Sequence, residues 1–311
     1  MIGIGMKFLT FKKGKECGLG VLVKDHVLDL NAAFEEHLGG SFKGQEPPCL
    51  DMLSFLDLGA EGLAEAKKAV NEADKASGIY RLGEVGVAAP IPRPRKNIVC
   101  LGLNYVDHVQ EGAKARKEPP RELPPVPIFF TKPPTAVVGP YDEIVYPRVT
   151  EKLDYELELA FVIGKAGKYI PEERVYDHIA GYTVFNDVSA RDLQRAHQQW
   201  FRGKSLDTFA PMGPYLVTPD EVGDPQSLDM WLKVNGEERQ RSNTRQMIFS
   251  IKRIVSTLSA GITLEVGDIF ATGTPSGVGS AHPKGLLKVG DEVEAWIDKV
   301  GSLKNRVVSE K

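Results

Sequence analysis

The sequence predicts an α+β protein that is mainly β and is divided into two domains. Short apolar runs between glycine-rich turns extend over much of the 311-residue chain and indicate strands. Two stretches near the N-terminus have helical spacing instead. After them, Pro90, Pro92 and Pro94 forbid a helix and favour an extended linker. We therefore predict a small α+β domain over residues 1–90 and a larger domain over residues 95–311.

The N-terminal part combines strands with two helices. A tight turn at Lys24 and Asp25 separates the second predicted strand from the third. The predicted strands are 7–10, 19–23 and 26–30. The helices, which have apolar residues at helical spacing, are predicted at 50–58 and 63–73.

Strands dominate the predicted second part. An apolar run at residues 153–164 indicates a buried strand, and residues 118–127, rich in proline and charge, indicate a mobile surface loop. Ser189 and Asp192 are typical of a helix start and predict a helix to about Trp200. Other helical segments are predicted at 171–179 and 244–258. The remaining predicted strands are 96–101, 129–132, 142–146, 178–186 and several short ones between residues 264 and 308.

Composition and charge exclude several classes of protein. The net charge of −3 and the pI near 6.1 provide no basic surface for nucleic acid or an anionic membrane. No apolar stretch approaches the roughly 18–20 residues that span a bilayer, and the N-terminus does not have the pattern of a secretory signal. The cysteines are too scattered for a disulfide framework or a cysteine-based zinc site, so we expect a cytoplasmic protein. They are Cys17, Cys49 and Cys100.

Glu156 and Glu158 would point to the same face of the predicted strand 153–164. An isolated pair of this kind more often lies on a solvated face, but the apolar residues that follow favour burial. Buried like charges need compensation, which a divalent cation would supply. Asp187 follows the strand 178–186 as a third acid, unless it is a turn or cap residue. Three carboxylates suit Mg²⁺, with Mn²⁺ or Ca²⁺ as alternatives.

Further polar residues could act on a substrate. His108 and Glu111 are three residues apart and would share one face of a helical turn. Such a pair can activate water, although a solvated surface pair is the alternative. Lys204, beside a glycine, could place positive charge on an anionic substrate. The glycine-rich turn 272–279 lacks the lysine of a P-loop, but its backbone N–H groups could bind a carboxylate.

Five stretches of the chain together resemble the fumarylacetoacetate hydrolase superfamily, in the order found in that family. They are 102–111, 154–159, 181–194, 203–205 and 271–279. The resemblance implies a catalytic domain with a mixed β-sandwich or roll-like fold, and a homodimer. The small N-terminal part is similar to that of bacterial two-domain members. Among these, the chain looks most like the acylpyruvases, the decarboxylases and the 2-hydroxyhepta-2,4-diene-1,7-dioate isomerases.

The resemblance also implies roles for individual residues. The implied metal ligands, usually for Mg²⁺ or Mn²⁺, are Glu156, Glu158 and Asp187. The residues that would activate water or stabilise the developing negative charge are His108, Glu111 and Lys204. The residues at substrate-lining positions are Arg191, Gln194 and Thr274.

These residues predict a divalent-metal-dependent hydrolase that cleaves a carbon–carbon bond in a β-diketo acid, such as an acylpyruvate or fumarylpyruvate from aromatic catabolism. A 2-oxo acid can chelate a cation through its carboxylate and keto oxygens, which stabilises an enolate. Water activated by His108 and Glu111 would attack the distal carbonyl. The same enolate would serve a 2-hydroxydienoate isomerase or tautomerase, or an oxaloacetate-type decarboxylase. A catalytically silent, metal-stabilised binding protein is the alternative from another class.

Overall fold

The computed structural model describes residues 5–14, 16–38, 51–73, 76–115, 117, 119–120 and 122–311. Cys49, the first residue of the predicted helix 50–58 and parts of the predicted loop 118–127 lie outside these ranges. The described residues of that loop form neither helix nor strand. None of the described helices is long and apolar enough to cross a bilayer.

The N-terminal part contains all of its predicted strands and helices, with one helix and two short strands in addition. The additional helix begins after Asp29, whose Oδ1 accepts hydrogen bonds from the backbone N of Asn31 and Ala32. The elements are β1 (Lys7–Lys13), β2 (Glu16–Val23), β3 (His26–Asp29), α1 (Leu30–Leu38), α2 (Met52–Asp57), α3 (Gly59–Asn71), β4 (Ile79–Arg81) and β5 (Gly86–Val87).

The rest of the chain is mainly strand, as predicted, with short helices between the strands. The strands are β6 (Ile98–Gly102), β7 (Ile128–Lys132), β8 (Val137–Val138), β9 (Glu143–Tyr146), β10 (Leu153–Asp154), β11 (Leu157–Ile163), β12 (Ile179–Asn186), β13 (Ser189–Ala190), β14 (Ala210–Val217), β15 (Asp229–Val234), β16 (Glu237–Asn243), β17 (Ile269–Ala271), β18 (Glu292–Ile297) and β19 (Gly301–Ser309). The α-helices are α4 (Val106–Ala115), α5 (Arg191–Ala196), α6 (Phe201–Lys204), α7 (Pro219–Val222) and α8 (Ile251–Ser259). Short 3₁₀ helices are Leu82–Glu84, Pro134–Ala136, Glu172–His178 and Thr244–Gln246.

The strands form two large mixed sheets, which confirms the predicted α+β, mainly β class. The first sheet has the order β4-β3-β2-β1-β14-β12-β11-β17-β6-β7, and the second has the order β16-β15-β18-β19-β9. Most pairs of the described strands are antiparallel, but β17 runs parallel to β6, β19 to β9 and β8 to β14. The short strands β10 and β13 pair only with each other among the described strands.

The first sheet continues from the N-terminal part into the second part. Strand β1 pairs with β14, and Lys7 lies opposite Val217. Buried residues of both parts also share one apolar cluster, in which Phe8 and Phe55 belong to the first part and Phe185 to the second. The two parts are therefore joined by backbone pairing and by a common core, and their division into separate domains stays a prediction.

Strand β11 lies inside the first sheet, and every one of its seven residues is buried. The predicted single strand 153–164 is wrong in one respect, because the chain is divided there into β10 and β11. Glu156 lies between them, and its backbone N donates to the Asn186 side-chain oxygen at 3.0 Å instead of to a backbone oxygen. Glu158 is inside β11, opposite Phe185 of β12. Both glutamates are nevertheless buried, as predicted.

Two predicted helices differ in the structure. Ser189, a predicted helix start, belongs to β13 instead, and its hydroxyl donates to the backbone oxygen of Asp187 at 3.0 Å. The helix that follows, α5, ends at Ala196 and not at Trp200, and α6 begins only at Phe201. The predicted helix 244–258 consists of a 3₁₀ turn followed by α8, which begins where the Ser250 side chain accepts from Arg253 N.

Candidate active site

A cavity of about 520 Å³ lies at the ends of β6 and β11 and beneath α4. Its walls come from the start of α4, the acids around β11, helices α5 and α6, and the turn 272–279 with the residues just after it. Five of the nine predicted site residues lie in the cavity wall outside α5, namely His108, Glu156, Glu158, Lys204 and Thr274. Arg191 and Gln194 of α5 also line it.

The three predicted acids meet beside this cavity, and two of them, Glu156 and Glu158, form part of its wall. One carboxylate oxygen from each of Glu156, Glu158 and Asp187 lies within 4.8 Å of the others, and all three residues are buried. Pairing of β11 with β12 brings them together, because Asp187 follows the end of β12 next to the start of β11. The backbone N of Asp187 donates to Glu156 O at 2.8 Å and fixes this approach.

Two predicted cationic residues hold these acids. Lys204 Nζ lies 2.6 Å from Glu156 Oε2 and 2.6 Å from Asp187 Oδ2, so it joins two of the three acids. Arg191 donates to the other carboxylate oxygen of Glu156, Oε1, at 2.5 Å, and to Asp154 Oδ2 at 2.7 Å. Charged hydrogen bonds of this length are among the strongest in proteins, so the acids are held in fixed positions.

Lys132 is a site residue that the sequence analysis missed. It ends β7, is fully buried, and has its Nζ 2.7 Å from Asp187 Oδ1. Its ammonium also donates to the backbone oxygens of Val188 at 2.9 Å and Phe209 at 2.8 Å, and to that of Lys204. A lysine directly after an apolar strand, followed by two prolines, was the available signal.

One negative charge in this buried group has no cation beside it. Four carboxylates, including Asp154, face three cations. The uncompensated carboxylate is Glu158, whose Oε2 accepts from Gly273 N at 2.8 Å while Oε1 has no partner among the described residues. Burial, with the nearby Asp187 and Glu156 charges, raises the pKa of Glu158 well above its usual value.

The other charges in the group are stabilised by their partners. Burial alone would raise the pKa of Glu156, but the charges of Arg191 and Lys204 outweigh it and lower this pKa. Burial lowers the pKa of Lys204, but Asp187 and Glu156 raise it by more, so this ammonium stays protonated. The pKa of Lys132 is lowered, chiefly by its complete burial.

The donor set fits a divalent cation. Three carboxylates within reach of one another are hard oxygen ligands of the kind that Mg²⁺ and Mn²⁺ accept. The unpartnered Glu158 Oε1 and the one excess negative charge both indicate that a positive charge belongs at this position. A bound divalent cation would leave the group with a net positive charge that attracts an anionic ligand.

The glycine-rich turn 272–279 binds carboxylates through its backbone, but they belong to this chain. Gly273 N binds Glu158, Gly277 N binds both carboxylate oxygens of Glu111 at 2.8 and 3.0 Å, and Gly279 N binds Asp154 at 2.6 Å. Glycine is required at position 277, where φ is 100° and an added Cβ would lie 2.0 Å from a backbone oxygen.

His108 and Glu111 lie on one face of α4, as predicted, but they are not hydrogen-bonded to each other. His108 Nδ1 is 3.6 Å from Glu111 Oε2, and it has no hydrogen-bond partner among the described residues. Glu111 is instead attached to Gly277 N. Asp107 forms a second attachment, because its Oδ2 accepts from the Ser276 hydroxyl at 2.8 Å. Helix α4 is thereby fastened to the turn 272–279.

Helix α5 contributes basic residues to the cavity wall. Arg191, at its start, points toward the acids and also donates to Gln194 Oε1 at 3.1 Å. Arg195 lies four residues later, hence on the same helical face, and lines the cavity together with His197. Both are exposed. The spacing of Arg191 and Arg195 in the sequence could have indicated this wall.

Comparison with known proteins assigns the chain to one family. Residues 97–308 match the family described as fumarylacetoacetate (FAA) hydrolase, C-terminal. The chain is 43% identical over 307 residues to the oxaloacetate tautomerase YisK of Bacillus subtilis, which covers 97% of this chain and 100% of that protein.

Solved structures give the same result. A fumarylacetoacetate hydrolase from Exiguobacterium antarcticum has a TM-score of 0.79 and 35% identity, with 98% of this chain and 100% of that chain covered. Maleylpyruvate hydrolase from Sphingobium sp. SYK-6, in complex with manganese(II) and pyruvate, has a TM-score of 0.75 and 32% identity, with the same coverage. The chain belongs to the fumarylacetoacetate hydrolase family, an enzyme family. The homodimer and the cytoplasmic location stay predictions.

The first prediction concerns Glu158→Gln, which removes the uncompensated charge but keeps the shape of the side chain. Without added metal, we expect the midpoint of thermal unfolding to be unchanged or higher than that of the wild type. The stabilisation of the wild type by Mg²⁺ or Mn²⁺, about 2.7 kcal/mol at a metal concentration about 100 times the Kd, should be lost. The exposed Glu173→Gln is the control. Full metal-dependent stabilisation of Glu158→Gln would refute the ligand assignment.

The second prediction concerns Lys132→Met, which leaves Asp187 and three backbone oxygens without their buried donor. We expect the free energy of unfolding in urea to fall by about 3–5 kcal/mol, the usual cost of breaking a buried ion pair. Lys165→Met, at an exposed position, should change it by less than about 0.5 kcal/mol. A loss below about 1 kcal/mol would mean that the Lys132 ammonium is not needed to hold Asp187.

Proposed function

We propose that this protein is a divalent-metal-dependent tautomerase that interconverts the keto and enol forms of an oxaloacetate-like 2-oxo dicarboxylic acid. The observation that carries the proposal is the separation of His108 from Glu111 by 3.6 Å, with both oxygens of Glu111 bound to Gly277 N. A histidine acting alone can move a proton, whereas a hydrolytic dyad requires the carboxylate to assist it. Similarity to an oxaloacetate tautomerase over nearly the whole chain supports the same reaction.

The three acids beside the cavity would hold the metal ion in this proposal. They are Glu156, Glu158 and Asp187, and Mg²⁺ is our first choice, with Mn²⁺ or Ca²⁺ as alternatives. The ion, when bound, supplies Lewis-acid polarisation of the keto oxygen of a 2-oxo acid. The manganese in the related maleylpyruvate hydrolase structure supports a divalent ion.

His108 would carry the proton between carbon and oxygen. Its Nδ1 has no partner among the described residues, and the side chain lines the cavity near the acids. Lys204 is unsuited to this task because its raised pKa keeps it protonated. Its fixed positive charge would instead stabilise the negative oxygen of the enolate. Thr274, in the cavity wall, would donate to the substrate carboxylate.

The wall formed by α5 would select the rest of the substrate. Arg195 and His197 line the cavity beyond Arg191, so their donors could bind a second carboxylate. An oxaloacetate-like acid carries such a group, whereas a simple acylpyruvate ends in an uncharged acyl chain. This wall therefore favours a 2-oxo dicarboxylic acid.

Hydrolysis of a carbon–carbon bond, the reaction favoured by the sequence analysis, is the second candidate. Similarity to maleylpyruvate hydrolase and the position of Glu111 one helical turn from His108 support it. It requires Glu111 to leave Gly277 N and bind the imidazole. Decarboxylation of oxaloacetate would begin from the same enolate and needs no activated water.

The third prediction separates the candidates through His108→Ala and Glu111→Gln. With Mg²⁺ present, His108→Ala should lower kcat/KM for ketonisation of enol oxaloacetate by about 10²–10⁴-fold, because the proton carrier is lost. Glu111→Gln should lower it by less than about 10-fold, because the glutamate holds the turn instead of acting on the proton. Loss of the ultraviolet absorbance of the enol measures this rate.

Metal-dependent thermal stabilisation serves as the control, and His108→Ala should retain it. Acylpyruvate cleavage and release of CO₂ from oxaloacetate should be measured on the same samples. A wild type that cleaves acylpyruvates faster than it ketonises oxaloacetate, with Glu111→Gln as damaging as His108→Ala, would replace the tautomerase with the hydrolase.

The fourth prediction concerns Arg195→Gln, which removes the charge from the α5 wall. We expect KM for oxaloacetate to rise by about 10-fold, as for loss of a charged hydrogen bond, and kcat to change little. Phenylpyruvate, which tautomerises but has a single carboxylate, should show no change in KM. The exposed Arg202→Gln, outside the cavity wall, is the matched control. Equal effects on both substrates would show that Arg195 does not recognise a second carboxylate.

A further inference from the structure

We infer that Gln240 is a positioning residue that fixes the Thr274 hydroxyl as a hydrogen-bond donor to an anionic ligand in the cavity. The inference deepens the proposed function and rests on it, because it takes that ligand to be the carboxylate of a 2-oxo acid. Gln240 is not in the cavity wall, and among the described residues Thr274 is the predicted site residue to which it is hydrogen-bonded. It therefore acts through Thr274.

Gln240 connects three segments through a fully used side-chain amide. It lies in β16, at the edge of the second sheet, and is 1% exposed. Its Oε1 accepts from Leu157 N at 2.9 Å, next to Glu158 in β11. Its Nε2 donates to Thr274 Oγ1 at 2.8 Å and to Pro275 O at 2.9 Å. Both hydrogens and the oxygen of the amide are thus engaged.

The partners determine which way the amide faces. Leu157 N–H can only donate, so the atom beside it must be the amide oxygen. Pro275 O can only accept, so the atom beside it must be the amide nitrogen. Exchanging the amide oxygen and nitrogen would break the bonds to Leu157 N and Pro275 O. The second N–H of the amide must therefore donate to Thr274.

This orientation determines the polarity of the Thr274 hydroxyl. Its oxygen accepts a hydrogen bond from an amide that cannot accept one in return. The hydroxyl hydrogen has no acceptor among the described residues, although the side chain is 3% exposed and lines the cavity. A buried donor without an acceptor is costly, so the hydroxyl is prepared for a ligand that supplies an acceptor, such as a carboxylate oxygen.

Gln240 also couples this donor to the metal site. Leu157, which it binds, precedes Glu158, and Gly273, which precedes Thr274, binds the Glu158 carboxylate. The Gln240 amide, which belongs to the second sheet, therefore fixes the distance between the acid cluster and the Thr274 hydroxyl. A chelated 2-oxo acid needs both at once, with its carboxylate near Thr274.

The fifth prediction uses Gln240→Glu, which retains the acceptor for Leu157 N and nearly the same shape. The new carboxylate would accept from the Thr274 hydroxyl and so reverse its polarity. We expect the affinity for oxalate in the presence of Mg²⁺, measured by calorimetry, to fall by about 10- to 100-fold. KM for oxaloacetate should rise by a similar factor, with kcat within about 3-fold of the wild type.

Thr274→Val provides the coupling test, because it removes the hydroxyl through which Gln240 acts. We expect it to weaken oxalate binding to the same extent, and the double variant to be no weaker than either single one. Gln240→Met, which introduces no charge, replaces Gln240→Glu in this cycle if the latter does not fold. Thr274→Ser keeps a hydroxyl and should restore most of the affinity.

Gln226→Leu is the matched control, because Gln226 also binds a backbone N and a backbone O but lies away from the cavity. It should lower stability without changing oxalate affinity. Additive losses in the double variant, or normal oxalate binding by a folded Gln240 variant, would overturn the inference. So would failure of the Mg²⁺-loaded wild type to bind oxalate. Absence of tautomerase activity with normal oxalate binding would refute the proposed reaction alone.

Discussion

The structure of the site depends on the pairing of buried acids with buried lysines and arginine beside β11 and β12. Each cation contacts more than one segment. Lys132 joins β7 to Asp187 and to the backbone after α6, Lys204 joins Glu156 to Asp187, and Arg191 joins Glu156 to Asp154. Because unpaired buried charges are costly, the acids can remain ionised only while these segments stay in place. The network therefore holds the tertiary structure and the candidate metal ligands together.

Much of the fold and of this network could be predicted from local patterns. Alternation and apolar runs identify the strands, and the spacing of Glu156 and Glu158 indicates two acids on one face. That argument succeeded although Glu156 lies just outside β11, because its carboxylate still lies within 4.8 Å of those of Glu158 and Asp187. The order of motifs along the chain was enough to identify the family.

Contacts between distant segments could not be predicted in this way. Lys132 looks like an ordinary lysine at the end of a strand, and its burial depends on backbone oxygens that lie 56 to 77 residues away. The role of Gln240 depends on the packing of one sheet on the other. The proposed reaction rests on which partner Glu111 binds, Gly277 N or His108, and no sequence pattern specifies that hydrogen bond.

The turn 272–279 has a consequence for how such an enzyme can diverge. Its backbone N–H groups bind the carboxylates of Glu158, Glu111 and Asp154. One inserted residue would disturb all three contacts. Peptide N–H groups cannot be exchanged by substitution, which makes this loop resistant to gradual change. New substrates would have to be accommodated by side chains elsewhere, above all on the exposed face of α5. Substitutions on that face would leave the backbone contacts of the turn in place.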